Sequence, residues 1–396
     1  SKIGAIYLNK KYIKKCMKIN MILIARNDKN GLSRWWWSID HWNLLQILIL
    51  AFTGSIMILA AGASVAEKHG FEQLYFFKHH IFYLILSIFC MILTTFLSNK
   101  GVIRLSFLGF GFFLILLFFV MLFGPDKNGA SRWMIIGSAS IQPSEFIKPF
   151  FVIITAYLIS FKLKKIKYIP DFISGFHISL LLLIIILFFL LKQPDLGMSI
   201  IVILIWSGQL FLSGLSLRWF LLLFSLLASG IFFGYHIFDH VKRRIDCFIY
   251  TSCETMDQIK NSFKAYESGG LLGNGPGDGI IKNRISDAHT DFIFPVIAEE
   301  FGAIFCMLIL VLSGSIVIRG LIRVYEKNNL FLLLAVGGLL ILFGLQVLLN
   351  VSVTLGIVPT TGITYPFISY GGSSLLSISI SMGIVLALTK NYSNRH

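Results

Sequence analysis

The sequence predicts an all-α integral membrane protein, a polytopic bundle of about ten transmembrane helices with one large outer loop between helices 7 and 8. Three observations carry this. The 396 residues are 56% hydrophobic and only 13% charged, with 37 Phe, and their mean hydropathy is +0.80, far from the usage of soluble domains. Apolar runs of roughly twenty residues recur along the chain, the length that lipid demands because a backbone without water must satisfy its own hydrogen bonds. The Lys and Arg of the short loops fall on one side when the runs alternate, and that side is cytoplasmic.

In chain order the spans are expected near 43–64, 75–97, 103–123, 146–161, 172–191, 198–214, 219–238, 292–318, 329–355 and 373–389. Orientation rests on Lys10, Lys11, Lys14, Lys15 and Lys18, on Lys100 and Arg104, and on Lys162, Lys164, Lys165 and Lys167. Arg319, Arg323 and Lys327, then Lys390 and Arg395, continue the same side, which puts both termini in the cytoplasm. Lys242, Arg243 and Arg244 fall on the other side, in a long loop where the rule weakens, and they call for an anionic partner. The net charge of +15 is explained by this topology and by membrane lipid headgroups, with no nucleic-acid partner expected. None of the five Cys has zinc or haem spacing; Cys247 and Cys253 share the outer loop, and whether they are joined stays open.

Residues 1–33 are basic and lack an apolar core followed by a cleavage site, so a disordered cytoplasmic tail is expected, with Met17 or Met21 as candidate starts. The membrane domain runs from 34 to 389, with 239–291 as its large outer loop and 390–396 as a short tail. Arg34, Trp35, Trp36, Trp37 and Trp42 mark the cytoplasmic interface, where indoles settle. Lys78, His79 and His80 are expected at the opposite interface, as side chains that reach for water.

The polar motifs gather at the outer ends of the helices. After Pro143, Ser144 reads as an N-cap, and Glu145 and Lys148 are spaced to meet on one helix face. A Lys entering an apolar segment normally faces a cavity or a partner, so Lys148 is expected to line a site. Lys192 and Asp195 flank the helix-breaking Pro194 and are expected to come close, either as a simple turn with a salt bridge or in one charged pocket with Glu145 and Lys148. Residues 256–268 suggest a short amphipathic helix lying on the membrane. The glycines at 269, 270, 273, 275, 277 and 279 require tight turns and close backbone approach. They lead to His289, Thr290 and Asp291, where Thr290 or Asp291 could cap the next helix. Glu299 lies near the face of Asp291 and is a candidate for pairing with a cation across the pocket, whereas Glu300 should point away. Gln346, Asn350 and Thr354 form one polar stripe, a common interhelical glue. The stretch 357–374 offers Thr360, Ser369, Tyr370 and Ser373, with Gly371 and Gly372 bare enough to approach a ligand or to bring an anion to a helix N-terminus. Paired helix breaks at the midplane, the sign of a secondary transporter, are not seen. Chemistry at the outer surface, on a substrate whose tail stays in lipid, fits better.

The runs AHTDFIF with Glu299 and Glu300 downstream, GNGPG, NGASRW, QPSEFIK, QPDLG, PTTG and PFISYGGSSL resemble the SEDS family of bacterial cell-wall glycosyltransferases, over nearly the whole chain from Arg34. RWWWSID and AYESGGLLGNGPGDG resemble its division branch more than its elongation branch. The run Ile285-Ser286-Asp287 and Asn274 depart from the family pattern and leave local loop shape open. The resemblance implies polymerisation of lipid II into glycan strands on the periplasmic side of the inner membrane, at the division septum. It implies a class B penicillin-binding protein and other divisome membrane proteins as partners. It matches Asp291 to the family's essential carboxylate, the candidate base for the acceptor hydroxyl, with His289 as the alternative. Arg132, Lys148, Lys192 and Arg244 are the candidate cations for the lipid pyrophosphate. No dedicated metal cage is seen; Mg²⁺ or Mn²⁺ would bind through one carboxylate and the substrate's phosphates. A lipid II flippase and a non-catalytic divisome scaffold are the competing roles.

Overall fold

The structure, a computed structural model, describes residues 31–390 apart from 126–130, 138, 162–174, 215–224, 226–228, 231, 233, 237–238 and 251–253. Helix α1 (Gly31–Ser38) leads into α2 (His41–Lys68), α3 (Tyr75–Thr95) and α4 (Asn99–Phe123). A two-stranded antiparallel hairpin follows, β1 (Met134–Ile136) and β2 (Ala139–Ile141). Next come α5 (Pro143–Ser160), α6 (Gly175–Lys192) and α7 (Leu196–Leu212), then α8 (Asp239–Tyr250), α9 (Glu254–Gly269) and a 3₁₀ turn (Ile281–Arg284). The chain closes with α10 (Ile293–Tyr325), α11 (Leu330–Thr354) and α12 (Gly372–Leu388).

Among the described residues, seven helices (α2 to α6, α10 and α11) are long and apolar enough to cross a membrane, and α7 and α12 are shorter apolar helices. They match nine of the ten expected spans, and the span expected at 219–238 lies mostly outside the described residues. So do the expected N-terminal tail up to residue 30, the C-terminal tail from 391, and Cys253; Cys247 is disulfide-bonded. The protein is therefore a multi-pass helical membrane protein.

Burial sorts the helices into layers. In α5, 83% of the apolar window is buried, against 22% in α3 and in α4, so α5 is a central helix and the other two face lipid. The lipid-facing helices expose Phe82, Phe89, Phe112 and Phe123, which costs nothing in a solvent as apolar as the side chain. Small residues let the inner helices touch: a Cβ on Gly383 of α12 would lie 1.9 Å from the Thr94 hydroxyl of α3. At the end of the bundle where α1 lies, Trp35 stacks on Phe96 at 4.4 Å and donates to the Thr95 hydroxyl at 2.9 Å.

Helix α10 is broken. Gly302 has φ 81° and ψ 172°, dividing a short, buried first half from a long second half. The glycine-rich segment after α9 fills the break with backbone: Asn274 N–H donates to Glu299 O at 2.9 Å, Gly275 N–H to Glu300 O at 3.0 Å, and Ala303 N–H to Gly270 O at 2.9 Å. Groups that the break leaves without a helical partner are thus satisfied by the inserted segment. Only glycine fits here, since a Cβ on Gly273 or Gly302 would come within 2.3 Å of a carbonyl oxygen.

Three local expectations are corrected. Ser144 does not cap α5: Pro143 is already helical, Gln142 is the N-cap residue, and the Ser144 hydroxyl has no partner among the described residues. His80 does not reach for water; it is 1% exposed, while Lys78 pairs with Glu72 at 2.8 Å. The helix expected over 256–268 forms as α9, but instead of lying alone on the membrane it packs on α10 and is tied to α11 by a 2.8 Å hydrogen bond between Tyr266 and Thr354.

Candidate active site at the outer ends of the helices

Asp291 sits in the turn before α10, and it does not cap that helix, whose N-cap residue Phe292 carries no side-chain bond. Its Oδ1 accepts from the Thr290 hydroxyl at 2.8 Å. Its backbone carbonyl accepts from Asn350 Nδ2 of α11 at 2.8 Å, and the same amide donates to Ile363 O at 2.8 Å. The backbone is therefore pinned while the carboxylate is held by the Thr290 hydroxyl and the residue's own backbone N–H. The residue keeps some exposed surface, but dense surrounding protein pushes the carboxyl up to about 6, and the neighbouring Asp287 adds to the rise. This is a carboxylate set close to neutral pH, where a general base works best.

His289 is placed differently. Its ring lies against Phe76 at 4.4 Å and Tyr370 at 5.4 Å, its Nδ1 is buried without a partner among the described residues, and its carbonyl accepts from Tyr370 N at 2.8 Å. Burial lowers the imidazole to about 4; Asp287 opposes the shift and His69 adds to it. The ring is neutral and weakly basic at neutral pH, which suits an orienting role better than proton abstraction.

A second group of charges forms where α5, the turn into α7 and the β-hairpin meet. Glu145 and Lys148 make the expected i, i+3 pair at 2.8 Å, with side chains 5% and 0% exposed. Lys148 Nζ also lies 3.2 Å from Met198 Sδ. Asp195 caps α7 through Met198 N at 3.4 Å, accepts from Gln142 Nε2 at 3.5 Å, and lies 3.7 Å from the Arg132 guanidinium. Arg132 also donates to the carbonyls of Gln193 and Pro194. Burial holds the Asp195 carboxyl above the ordinary carboxylate range, against the pull of Arg132. The expected pocket thus joins Glu145, Lys148 and Asp195, but the cation beside Asp195 is Arg132. Lys192 is exposed and has no ion pair among the described residues.

The segment from Val358 to Ser374 connects the two groups. Ile363 and Tyr370 hold the Asp291 side through Asn350 and His289. On the other side Ser373 accepts from Gln142 N at 3.1 Å, and Ser377 of α12 donates to Glu145 O at 2.7 Å. Thr361 O would lie 2.8 Å from a Cβ on Gly197, so α7 starts directly against this segment. Ser369 serves the segment's own fold, accepting from Tyr365 N at 2.8 Å beside Phe367, whose φ is 63°. Gly372 is bare for packing, with a Cβ position 2.8 Å from the Tyr83 ring, rather than for a ligand; Gly371 has ordinary room.

Glu299 is not the cation partner. Its two oxygens accept from the N–H groups of Ile281 and Lys282 at 2.7 and 2.9 Å, holding the 3₁₀ turn. Glu300 instead takes the ion pair, with Lys282, whose ammonium also donates to Gly277 O at 3.0 Å. The regular helix assumed for the Glu299 expectation misjudged which carboxylate meets a cation, because the cation comes from the folded-back outer loop. The backbone of Arg244 lies in α8, and its side chain is outside the described residues.

Thr360 lines a large apolar cavity of about 620 Å³ between α6, α7, α8 and α11, with Leu183, Leu187, Ile203 and Leu349. Ile184 and Leu191 line it too and are 54% and 37% exposed, so the cavity opens toward lipid. Sequence reasoning missed Asp287, Gln142, Phe76 and Lys282. Gln142 and Asp287 adjoin motifs already noted, whereas Phe76 and Lys282 reach the site only through the tertiary fold.

Fold and site together define a polytopic membrane protein with a half-buried carboxylate and a buried charge cluster at one end of its helices. Residues 41–394 match the model of the FtsW, RodA and SpoVE family, described as cell cycle protein, and the chain belongs to that family. It is 33% identical over 367 residues to a protein of Caulobacter vibrioides named probable peptidoglycan glycosyltransferase FtsW, covering 92% of this chain and 93% of that one. A Coxiella burnetii protein of the same name is 31% identical, covering 90% and 98%. Among solved structures, the rod shape determining protein RodA of Thermus thermophilus aligns with a TM-score of 0.65 at 26% identity, covering 89% of this chain and 97% of that one. A chain from a structure of a peptidoglycan synthase complex coordinating polymerisation and crosslinking aligns with a TM-score of 0.73 at 24% identity, covering 89% and 98%.

Proposed function

We propose that this protein is a peptidoglycan glycosyltransferase of the division type, polymerising lipid II at the periplasmic face of the bacterial inner membrane with Asp291 as general base. The observation that carries this reading is the Asp291 carboxylate, backbone pinned by Asn350, uncommitted to helix capping and raised to about 6. In the transfer step, the Asp291 carboxylate takes the proton of the acceptor sugar hydroxyl as that oxygen bonds the donor's anomeric carbon. The bond from that carbon to the lipid pyrophosphate breaks, and the pyrophosphate leaves with the electron pair. Arg132, whose side chain is 19% exposed, is the cation best placed to meet the leaving group. Lys148, sealed against Glu145, acts by holding the cluster's shape. The apolar cavity beneath Thr360 and Thr361 suits a polyprenyl tail.

No three His, Cys, Asp or Glu side chains converge among the described residues. Asp291 and Asp287 repel each other's charge, an arrangement a divalent cation would relieve. Asp287 would hold Mg²⁺ or Mn²⁺ together with substrate phosphates, leaving Asp291 free as the base, and the ion would supply charge neutralisation at the pyrophosphate. By family likeness the partner is a class B penicillin-binding protein, the setting is the septum, and both termini are cytoplasmic.

The test is glycan-strand formation from purified lipid II by the full chain, alone and with its transpeptidase partner, comparing native protein with Asp291→Asn. Polymer from the native chain and none from a variant that still binds lipid II supports the reading. Equal polymer from both moves the base elsewhere. A native chain that folds, binds its partner and makes no polymer returns the choice to flippase or scaffold.

A further inference from the structure

At the end of the bundle opposite Asp291, three cations line the last turns of α10 and the residues just beyond it. Arg319 Nε lies 3.0 and 2.9 Å from the two oxygens of Asp40, and Arg323 Nε lies 2.8 Å from Asp40 Oδ2. Asp40 is fully buried, and its Oδ1 already accepts from the N–H groups of Trp42 and Asn43 at the start of α2. One carboxylate thus fixes two guanidiniums, both through Nε. Their terminal nitrogens have no hydrogen-bond partner among the described residues, and the side chains remain 36% and 22% exposed.

Lys327, one turn further on, donates to the carbonyls of Leu388 and Lys390 at 3.0 and 2.6 Å, and Lys390 is itself buried. Two guanidiniums therefore share one buried carboxylate, and the Lys327 ammonium lies close enough to Arg323 to feel its charge. Glu326 is exposed and makes no ion pair among the described residues. Burial lowers the Lys327 ammonium, and the nearby Arg323 lowers it further. On the adjoining face of α10, Ile318, Ile322 and Tyr325 are 61%, 56% and 76% exposed, and Trp36, Trp37 and Trp42 mark the same level as a lipid–water boundary. A preorganised, over-cationic notch beside an exposed aliphatic stripe is the chemistry of a lipid headgroup pocket between transmembrane helices.

We propose that Arg319, Arg323 and Lys327 bind the phosphate of an anionic phospholipid whose acyl chains lie along Ile318 and Ile322. Only the naming of this leaflet as cytoplasmic rests on the orientation proposed above. The site is separate from the Asp291 chemistry, and its test involves neither lipid II nor polymerisation.

The test is thermal unfolding of the delipidated full chain in maltoside micelles, titrated with dioleoyl phosphatidylglycerol, dioleoyl phosphatidylcholine or inorganic phosphate. Phosphatidylglycerol should raise the midpoint saturably and phosphatidylcholine should not. The half-saturating concentration should rise about fivefold in Arg323→Gln and about fivefold in Lys327→Gln. Lys327→Gln leaves both pairs of Asp40 intact, so it reports binding even if Arg323→Gln unfolds. Equal responses to the two lipids, native-like titration of Lys327→Gln, or an equal response to inorganic phosphate would overturn the proposal.

Discussion

Asp291 owes its character to what it lacks. A carboxylate at a helix start usually binds the N–H groups of the helix's first turn, which stabilise the charge and lower the pKa; here the Thr290 hydroxyl and the residue's own N–H are outweighed by burial. The acid limb of polymerase activity should therefore fall with an apparent pKa of about 6, higher than an ordinary carboxylate, because the base must be ionised to act. The same environment disfavours the charge in the folded state. With the folded pKa above the unfolded one, the group's stabilisation is full at low pH and is lost as pH rises through about 6. Asp291→Asn should consequently abolish polymerisation and raise stability by about 3 kcal/mol at pH 8, with little gain at pH 4. Unchanged thermal midpoints at both pH values would remove the burial argument.

Lys148 poses the opposite case, a charge fully paired. Removing one partner leaves the other buried and alone, at a cost of about 3–5 kcal/mol, whereas removing both can be nearly neutral. Lys148→Met should destabilise strongly, and Glu145→Gln with Lys148→Met should recover most of the stability. If the pair shapes the substrate pocket, the double variant stays inactive; full activity in it would reduce the pair to structure alone.

Among the elements, broken α10 decides most about the site. Its short first half carries Glu299 and Glu300 into the glycine-rich segment, and that segment's backbone replaces the helical bonds lost at Gly302. The glycines are therefore unequal. Gly302→Ala or Gly273→Ala drives a methyl into a carbonyl at positive φ and should cost at least about 2–3 kcal/mol, with loss of activity. Gly70→Ala also has positive φ, 71°, but meets open space and should cost about 1 kcal/mol with activity kept. Unfolding midpoints and polymer yield for the three variants check this ranking. The presence of a glycine-rich turn is legible in the sequence. Which helix it enters is not, because Gly302 lies within an apolar run whose periodicity continues on both sides.

Over the whole molecule, the segment 358–374 joins three environments: the Asp291 turn, the charged cluster at α5 and α7, and the lipid-opening cavity. If that cavity holds a polyprenyl tail, filling it with Leu187→Trp should raise KM for long-chain lipid II several-fold. A short-chain analogue should be affected little. Steady-state kinetics with both substrates separates this from a general loss of fold, which would depress both alike.

The sequence by itself determined the membrane class, the gathering of the polar motifs at one end of the helices and the Glu145–Lys148 pair, because hydropathy and helical spacing act over short stretches of chain. Only the tertiary structure decided that Arg132 rather than Lys192 meets Asp195, that Glu300 rather than Glu299 takes the cation, and that Gly372 yields to Tyr83. Each of these depends on partners brought together by helix packing and by a break in α10. Side chains far apart in the chain choose one another through geometry, which local pattern does not encode.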